Sequence, residues 1–332
     1  MKKNYSDTDS FLTFIGGYMK IKSVILTILL VAVISFQIVY GEKLIIFHAG
    51  SLTVPFKKLK VAFEKTHPDV QVLLEASGSR KAARKISDIH KNADIMASAD
   101  YKVIDELLIP EYADWNILFA SNAMTLMFSD KSKYAEEINV DNWSEILLRE
   151  GVEYGYSDPN VDPCGYRSLM VWQLESKRLN KSWLYDSLKS HCPVNNIRPK
   201  SVELIALLEV GEYDYIFEYE SVSKQHNGKY IVFNDSCNLS DNDLGDFYKN
   251  AIVQVTGKKI GEYTTLYGAP IVYGITITKN AENRALAIEF IELMLSDEGR
   301  DIFRDCGQKP LEKYSIKGNI SNLSPILKEV IK

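Results

Sequence analysis

Three corners of the chain, each between a predicted strand and a predicted helix, combine glycine with hydroxyl or carboxyl side chains. They are Gly50 and Ser51 in HAGSL, Ser77 to Ser79 in ASGSRKAARK, and Asp162 to Gly165 in SDPNVDPCGYRS. Glycine lets the backbone come close to a ligand, and the first N–H groups of a helix have no partner within the helix. A helix N-terminus also carries about half a positive charge and binds anions. The corners therefore predict a site for a small oxyanion, although each corner alone is also explained by local helix capping.

Strands and helices alternate in the sequence from residue 43 onward. The predicted strands are KLIIFHA, VQVLLEAS, ADIMASA, NAMTLMFS, VEYGYSDP, YDYIFEYES and APIVYGITITK. The predicted helices are 55–66, SRKAARKISDI, YKVIDELLI, WSEILLRE, GYRSLMVWQLES, PKSVELIALLEVGE and RALAIEFIELMLSDEGRDIFRDCG. This alternation is typical of an α/β fold with a largely parallel sheet. Ligands of such sheets bind beyond the carboxyl ends of the strands, where the three corners lie.

No linker rich in proline or glycine divides the chain, so two domains have to be joined by structured segments. The long strands predicted near 117–128 and 271–279 are suited to this role. Two crossings imply that the chain leaves one lobe, builds a second lobe and returns. We therefore predict lobe I from residues 42–120 plus 271–332 and lobe II from residues 121–270, with a ligand cleft and a two-strand hinge between them.

The first 41 residues contain a targeting segment, although residues 1–18 have no targeting character themselves. Lysines precede a nearly uninterrupted apolar run from Val24 to Tyr40. This pattern predicts a secretory signal peptide, with Met19 as an alternative true start. The other interpretation is a retained membrane anchor over residues 23–40, because a run of this length just spans a bilayer. In either case we expect the protein to work outside the cytoplasm, secreted or at the extracellular face of the cytoplasmic membrane.

The composition is that of an ordinary globular protein, with 332 residues of which 46 % are apolar and 25 % are charged. The net charge is −5, and the sequence has no basic run or stacking cluster, so we expect no nucleic-acid partner. The four cysteines lack the spacing of a zinc site and are compatible with disulfides or with buried thiols. They are Cys164, Cys192, Cys237 and Cys306.

Six motifs together resemble the archaeal molybdate/tungstate-binding proteins of ABC transporters, which are extracellular solute-binding proteins. The motifs are FHAGSL, ASGSRKAARK, DIMASADY, DPCGYRSL, RPKSVELIALLE and DYIFEYESV, and the resemblance runs from Lys43 to Leu311. It implies the type II periplasmic-binding-protein fold, in which two α/β lobes close on the ligand. The oxyanion-binding residues that it implies are Gly50, Ser51, Ser79, Asp162, Pro163, Cys164, Ser201 and Tyr219.

Carboxylates beside a dianion need an explanation, because like charges repel. The resemblance implies that one Asp and one Glu approach the metal centre itself, where Mo(VI) or W(VI) accepts oxygen donors. Asp162 matches the Asp, but Ser201 stands where many relatives have Glu. We expect Glu218 or Glu203 to replace it and prefer Glu218, although strand alternation places Glu218 opposite to Tyr219 unless the strand ends or bends there. The competing interpretation is that Glu218 is a salt-bridged surface residue.

These features predict the extracytoplasmic solute-binding component of an ABC transporter. It would capture molybdate or tungstate and deliver the oxyanion to a membrane permease, as a monomer and without a cofactor. The alternative is a receptor of the same fold for sulfate or phosphate, held by amides and hydroxyls alone. An enzyme is not expected, because Ser51 and His48 are close in sequence but the chain has no GxSxG motif. Molybdate and tungstate have the same charge and nearly equal size, so the sequence does not separate them.

Overall fold

The computed structural model describes residues 41–259 and 261–331. In this part of the chain the strands are β1 (Glu42–Ala49), β2 (Val70–Ser77), β3 (Ile95–Ser98), β4 (Trp115–Ser121), β5 (Met124–Phe128), β6 (Tyr154–Ser157), β7 (Ile197–Arg198), β8 (Tyr215–Tyr219), β9 (Lys229–Val232), β10 (Ile252–Thr256), β11 (Tyr263–Tyr267), β12 (Val272–Ile277) and β13 (Lys309–Gly318). The helices are α1 (Thr53–Thr66), α2 (Ser79–Ser87), α3 (Tyr101–Leu107), α4 (Trp143–Ile146), α5 (Pro163–Arg178), α6 (Leu184–His191), α7 (Val202–Val210), α8 (Glu220–Gln225), α9 (Gly245–Tyr248), α10 (Arg284–Leu295), α11 (Asp297–Asp305) and α12 (Pro325–Val330). The predicted signal peptide or anchor, up to residue 40, lies outside the described residues. Of the helices described, none has the length and apolar character needed to cross a bilayer.

Six strands form the first sheet, in the order β13-β4-β12-β3-β1-β2. β1 pairs in parallel with β2 and with β3, as the strand–helix alternation predicted. β12 pairs antiparallel with β3 and β4, and β13 pairs antiparallel with β4. The prediction of a largely parallel sheet is therefore wrong for these two strands. The reason is topological, because the chain re-enters the sheet beside the end of β4, where Val272 pairs with Ser121, and must run back along it.

Five strands form a second sheet, in the order β7-β6-β8-β5-β9. β6 is parallel to β7 and β8, whereas β5 is antiparallel to β8 and β9. β10 and β11 form a separate antiparallel hairpin. We call the first sheet with its helices lobe I, and the second sheet with its helices and the hairpin lobe II. The lobe boundaries at residues 120–121 and 270–271 stay a prediction.

The helix that follows the first corner is fixed by an apolar face. Phe56, Leu59 and Phe63 are at most 1 % exposed. Phe56 and Phe63 pack edge-on against Phe290 of α10, with ring centroids 6.0 and 5.4 Å apart. Burial of each such side chain stabilises the fold by about 1.5–3 kcal/mol. The predicted helix face is thus confirmed, and α1 holds the corner before it in a fixed place.

The predicted last long helix is wrong in one respect, because it is divided at Ser296. This residue has φ −66° and ψ 172°, which ends α10 and begins α11. Its hydroxyl accepts a hydrogen bond from the Gly299 N–H at 3.3 Å, so Ser296 caps the new helix. A Cβ atom on Gly299 would lie 2.2 Å from the Met294 carbonyl oxygen, so the tight break requires glycine there.

All four cysteines are buried free thiols. Of the two interpretations of the cysteines, the structure therefore shows buried thiols and not disulfides. Burial raises the pKa of Cys192 and of Cys237 to about 12, so neither is a reactive thiolate at neutral pH.

Candidate functional site

The corner after β1 lies at the boundary between the lobes. Gly50 and Ser51 form a short 3-10 turn. The Ser51 hydroxyl lies 2.9 Å from Tyr273 Oη, and the Ser51 carbonyl accepts from Gln308 Nε2 at 2.9 Å. A Cβ atom on Gly50 would lie 3.4 Å from the methyl groups of Val202 in lobe II. The first predicted corner therefore faces α7 across the boundary.

The corner after β2 brings Ser79 to the same boundary. Ser79 is fully buried, and its hydroxyl accepts from the Ala99 N–H at 3.0 Å. Accepting this bond leaves the hydroxyl hydrogen available for donation. A Cβ atom on Gly78 would lie 2.3 Å from the Val161 carbonyl oxygen, so this approach requires glycine. The Lys81 N–H donates to the same carbonyl at 3.2 Å, which joins the lobes directly.

The third corner is the start of α5. Asp162 is the N-cap residue, and its Oδ1 accepts from the Cys164 N–H at 3.1 Å. Helix capping thus explains the contact of Oδ1. The other oxygen, Oδ2, accepts from the Ser201 N–H at 3.0 Å and so connects α7 to α5. Pro163 follows at the first helical position, where no N–H is needed. Burial raises the pKa of Asp162, and the amides of Ser201 and Cys164 oppose this shift.

Glu218, the preferred second carboxylate, is fully buried near the end of β8. The interpretation as a surface salt bridge is therefore wrong. Its Oε2 accepts from the Tyr219 N–H at 2.8 Å and lies 4.0 Å from Cys164 Sγ. Its Oε1 has no hydrogen-bond partner among the residues described. Burial raises the pKa of Glu218 to about 8, opposed by the nearby Ser201 side chain and the Tyr219 amide.

The local contact of Glu218 is with the next residue of the chain. Glu218 lies one residue before the end of β8, and its side chain accepts from the Tyr219 backbone amide. Glu203, the other candidate, is not placed with these groups. Its side chain is 39 % exposed and lies 3.3 Å from Lys200 Nζ.

Tyr219 brings a buried cation to the site. Its Oη accepts from Arg167 Nη1 at 2.7 Å. Arg167 also donates to the Ala99 carbonyl at 2.8 Å, and its Nη2 lies 3.1 Å from Asp100 Oδ2. Tyr166 Oη donates to the same Asp100 oxygen at 2.6 Å. Arg167 and Tyr166 of lobe II thus bind the residues that follow β3 in lobe I.

Three residues of this boundary were missed by the sequence analysis, namely Arg167, Asp100 and Tyr273. Arg167 and Asp100 lie inside quoted motifs, DPCGYRSL and DIMASADY, but nothing local shows that they meet. Tyr273 lies in the long strand APIVYGITITK, where alternation alone gives it an apolar position. Its hydroxyl accepts from Asn122 Nδ2 at 2.8 Å, and burial raises the pKa of Tyr273 to about 12. A tyrosine at a buried strand position is the signal for such a contact, because its hydroxyl needs a hydrogen-bond partner.

The groups collected at the boundary suit binding rather than acid–base chemistry. They include backbone amides, neutral hydroxyls, three buried carboxyl groups and one buried guanidinium. Ser51 does not pair with His48, since its hydroxyl meets Tyr273 and the His48 Nδ1 donates to the Ala49 carbonyl at 2.8 Å. Burial lowers the pKa of His48 to about 4, so the ring is neutral. The arrangement of a serine activated by a histidine is absent at this corner.

Lobe architecture and site together define a class of protein, the extracellular receptors for solutes. The chain belongs to the bacterial extracellular solute-binding protein family, whose family model matches residues 44–308. This membership implies a periplasmic or extracellular location. A solute-binding protein from Petrotoga mobilis is 48 % identical over 87 % of this chain and 90 % of its own. The molybdate/tungstate-binding protein WtpA of Pyrococcus abyssi is 44 % identical over 84 % of this chain and 87 % of its own.

Solved structures show the same fold. The periplasmic molybdate-binding protein of Azotobacter vinelandii matches with a TM-score of 0.57 at 18 % identity, over 80 % of this chain and 98 % of that one. The sulfate-binding protein SubI of Mycobacterium tuberculosis matches with a TM-score of 0.56 at 11 % identity, over 82 % of this chain and 88 % of that one. The predicted periplasmic-binding-protein fold is confirmed, and so is the resemblance to the molybdate/tungstate-binding proteins.

Proposed function

We propose that this chain captures molybdate or tungstate outside the cytoplasm and delivers it to the membrane permease of an ABC transporter. Relatives from Pyrococcus abyssi and Thermococcus kodakarensis, 44 % and 40 % identical, are named for these two oxyanions. Membership in the solute-binding family supports the receptor role. The oxyanion is cargo, and the receptor acts as a monomer with no cofactor and no catalytic step.

One observation carries the choice of ligand, the Glu218 Oε1 atom that is buried without a hydrogen-bond partner in the part of the chain that the structure describes. In a sulfate or phosphate receptor, the Glu218 carboxyl would repel the anion whenever it ionises, and below its pKa of about 8 it is mostly protonated. A Mo(VI) or W(VI) centre instead accepts carboxylate oxygen as a ligand. Asp162 supports this assignment, because Asp162 and Glu218 approach the same residue: Cys164 N lies 3.1 Å from Asp162 Oδ1, and Cys164 Sγ lies 4.0 Å from Glu218 Oε2.

The remaining groups would hold the oxygens of the oxyanion. The amides of Gly50 and Ser51 and the hydroxyl of Ser79 act from lobe I. The backbone amides of Cys164 and Ser201, two residues that the resemblance placed at the oxyanion site, are hydrogen-bonded to Asp162 in this structure. An Asp162 oxygen that moved to the metal centre would release one of these amides to an oxyanion oxygen.

Calorimetric titration of residues 42–332, which form one compact unit, tests the proposal. Tungstate and molybdate should bind tightly, and sulfate and phosphate should not bind. Melting temperature gives a second measure, since a ligand at 1,000 times its Kd adds about 4 kcal/mol to stability. Comparable binding of sulfate would show that amides and hydroxyls alone hold the anion, as in the alternative function.

Substitution of the carboxylates tests the coordination itself. Asp162→Ala and Glu218→Ala should each weaken tungstate binding strongly. Glu203→Ala is the matched control, because it removes an exposed carboxylate that pairs with Lys200. Full tungstate affinity in both Asp162→Ala and Glu218→Ala would exclude coordination of the metal centre by these residues.

A further inference from the structure

Arg167 is a cation buried at the boundary between the lobes, with only 3 % of its surface exposed. Nη1 donates at 2.8 Å to the Ala99 carbonyl and at 2.7 Å to Tyr219 Oη. Nη2 lies 3.1 Å from Asp100 Oδ2. A charge this deeply buried requires hydrogen-bonded partners, and these three residues supply them.

The contact with Arg167 decides what the Tyr219 hydroxyl can do. An arginine side chain only donates hydrogen bonds, so Tyr219 Oη must accept and its own hydrogen points elsewhere. Among the described residues, the bond from Arg167 is the one hydrogen bond of Tyr219 Oη. Burial raises the pKa of Tyr219, so the hydroxyl keeps its proton as a donor. That donor is left for a ligand.

Two of the three partners of Arg167 belong to the other lobe. Ala99 and Asp100 follow β3 in lobe I, whereas Arg167 and Tyr219 lie on α5 and β8 in lobe II. Tyr166, the neighbour of Arg167, donates to the same Asp100 oxygen at 2.6 Å and strengthens this link. The complete set of Arg167 contacts therefore exists only while the two lobes are together.

We propose that Arg167 is a positioning residue that turns the Tyr219 hydroxyl toward the bound oxyanion, and that it does so only in the closed molecule. This inference rests on the proposed function. Because Ala99 and Asp100 hold the guanidinium in place, closure of the lobes and orientation of the Tyr219 donor become one event. An oxyanion that permits closure gains a hydrogen bond that the open form cannot offer, which slows its release.

A double-mutant cycle on tungstate affinity tests the coupling. Arg167→Met and Tyr219→Phe are made singly and together in residues 42–332, and Kd is measured by calorimetry. Each single substitution should weaken tungstate binding by about tenfold or more, because Tyr219→Phe removes a hydrogen bond to a charged ligand and Arg167→Met leaves the donor of that bond unoriented. The double variant should bind no more weakly than Arg167→Met alone, because the Tyr219 donor acts only through Arg167.

Arg178→Met is the matched control. Arg178 lies on the same helix and donates two bonds of 2.8 Å to the buried Glu175 carboxylate, but both residues are in lobe II. This variant should melt at a lower temperature and keep the tungstate Kd of the unsubstituted chain. Arg167→Lys keeps a positive charge without the fork of donors, so it should recover melting temperature but not affinity. It also serves as the test if Arg167→Met does not fold.

The outcomes separate the two proposals. Unsubstituted tungstate affinity in Tyr219→Phe overturns the positioning role, and so does an additive loss in the double variant. An equal loss of affinity in Arg178→Met overturns it as well, because the effect would then be general destabilisation of α5. Absence of binding by the unsubstituted chain overturns the proposed function and this inference together, whereas normal binding with an unaffected Tyr219→Phe variant overturns the inference alone.

Discussion

Replacement of Glu218 by glutamine isolates the energetic effect of a fully buried carboxyl group. Burial raises the pKa of Glu218 from 4.5 to about 8. Between these two pH values the folded chain holds a proton that the unfolded chain has lost. The stability that this group contributes is therefore present below pH 4.5 and is lost as the pH rises through 8.

The magnitude follows from the size of the shift. One unit of pKa difference corresponds to about 1.4 kcal/mol. The Glu218 carboxyl should therefore lower the free energy of unfolding by about 3 kcal/mol between pH 5 and pH 8. Glutamine has the shape of the protonated carboxyl group and does not ionise. Glu218→Gln should consequently gain about 3 kcal/mol relative to the unsubstituted chain over this pH interval.

Urea unfolding of the ligand-free chain at pH 5, 6, 7 and 8 measures this gain. The quantity to plot is the difference in unfolding free energy between Glu218→Gln and the unsubstituted chain, in which other titrating groups cancel. Glu203→Gln, with a side chain that is 39 % exposed, is the matched control for the chemical change from glutamate to glutamine. A flat line for Glu218→Gln would refute the reasoning, since Glu218 would then have the same pKa in the folded and unfolded chain.

Three other substitutions have calculable effects. Gly78→Ala fits the backbone angles (φ −57°, ψ 140°) but puts a Cβ atom 2.3 Å from the Val161 carbonyl oxygen. Calorimetry should therefore show tungstate binding weakened by about tenfold or more at an unchanged melting temperature. Unchanged affinity would mean that the lobes need not approach here. Ser79→Ala leaves the buried Ala99 N–H without its acceptor and should lower the free energy of unfolding by about 1–3 kcal/mol in urea at pH 7; a loss below about 0.5 kcal/mol would contradict this. The pKa of His48 is lowered to about 4, so its contribution to the free energy of unfolding is present above pH 6.5 and is lost as the pH falls through 4. His48→Gln should therefore show a shallower acid unfolding transition by circular dichroism. An unchanged transition would mean that the ring ionises freely in the folded chain.

Local elements of the fold could be predicted because their signals are local. The strand predicted at Val70–Ser77 has the same bounds in the structure, and the predicted apolar face of α1 is buried. The β10–β11 hairpin and the break at Ser296 were not predicted from the sequence. The break depends on a serine cap and on the fit of Gly299 against Met294, which hydrophobic periodicity does not report.

The parts of the candidate site that local backbone chemistry defines could be predicted. The parts that depend on contacts between distant residues could not. Glycine and serine after a strand mark the corners, and the structure brings those corners to one boundary. All five residues of β8 are buried, so alternation along this strand does not distinguish Glu218 from its neighbours. The role of Arg167 depends on Ala99, 68 residues away in sequence. No pattern within either segment shows that contact.

The position of β12 sets the order in which the chain can assemble. β12 fills the place between β3 and β4, where Ile277 lies opposite Ile95 and Ile275 opposite Ile117. Until residues 272–277 are available, those two neighbours are open edges that can pair with other chains. The strands of the second sheet all fall within residues 124–232, so that sheet can form from continuous chain while the first one waits. Folding speed falls as the sequence separation of contacts grows. We therefore expect the insertion of β12 to be the slow step of folding, and chains truncated before residue 272 to aggregate through the edges of β3 and β4.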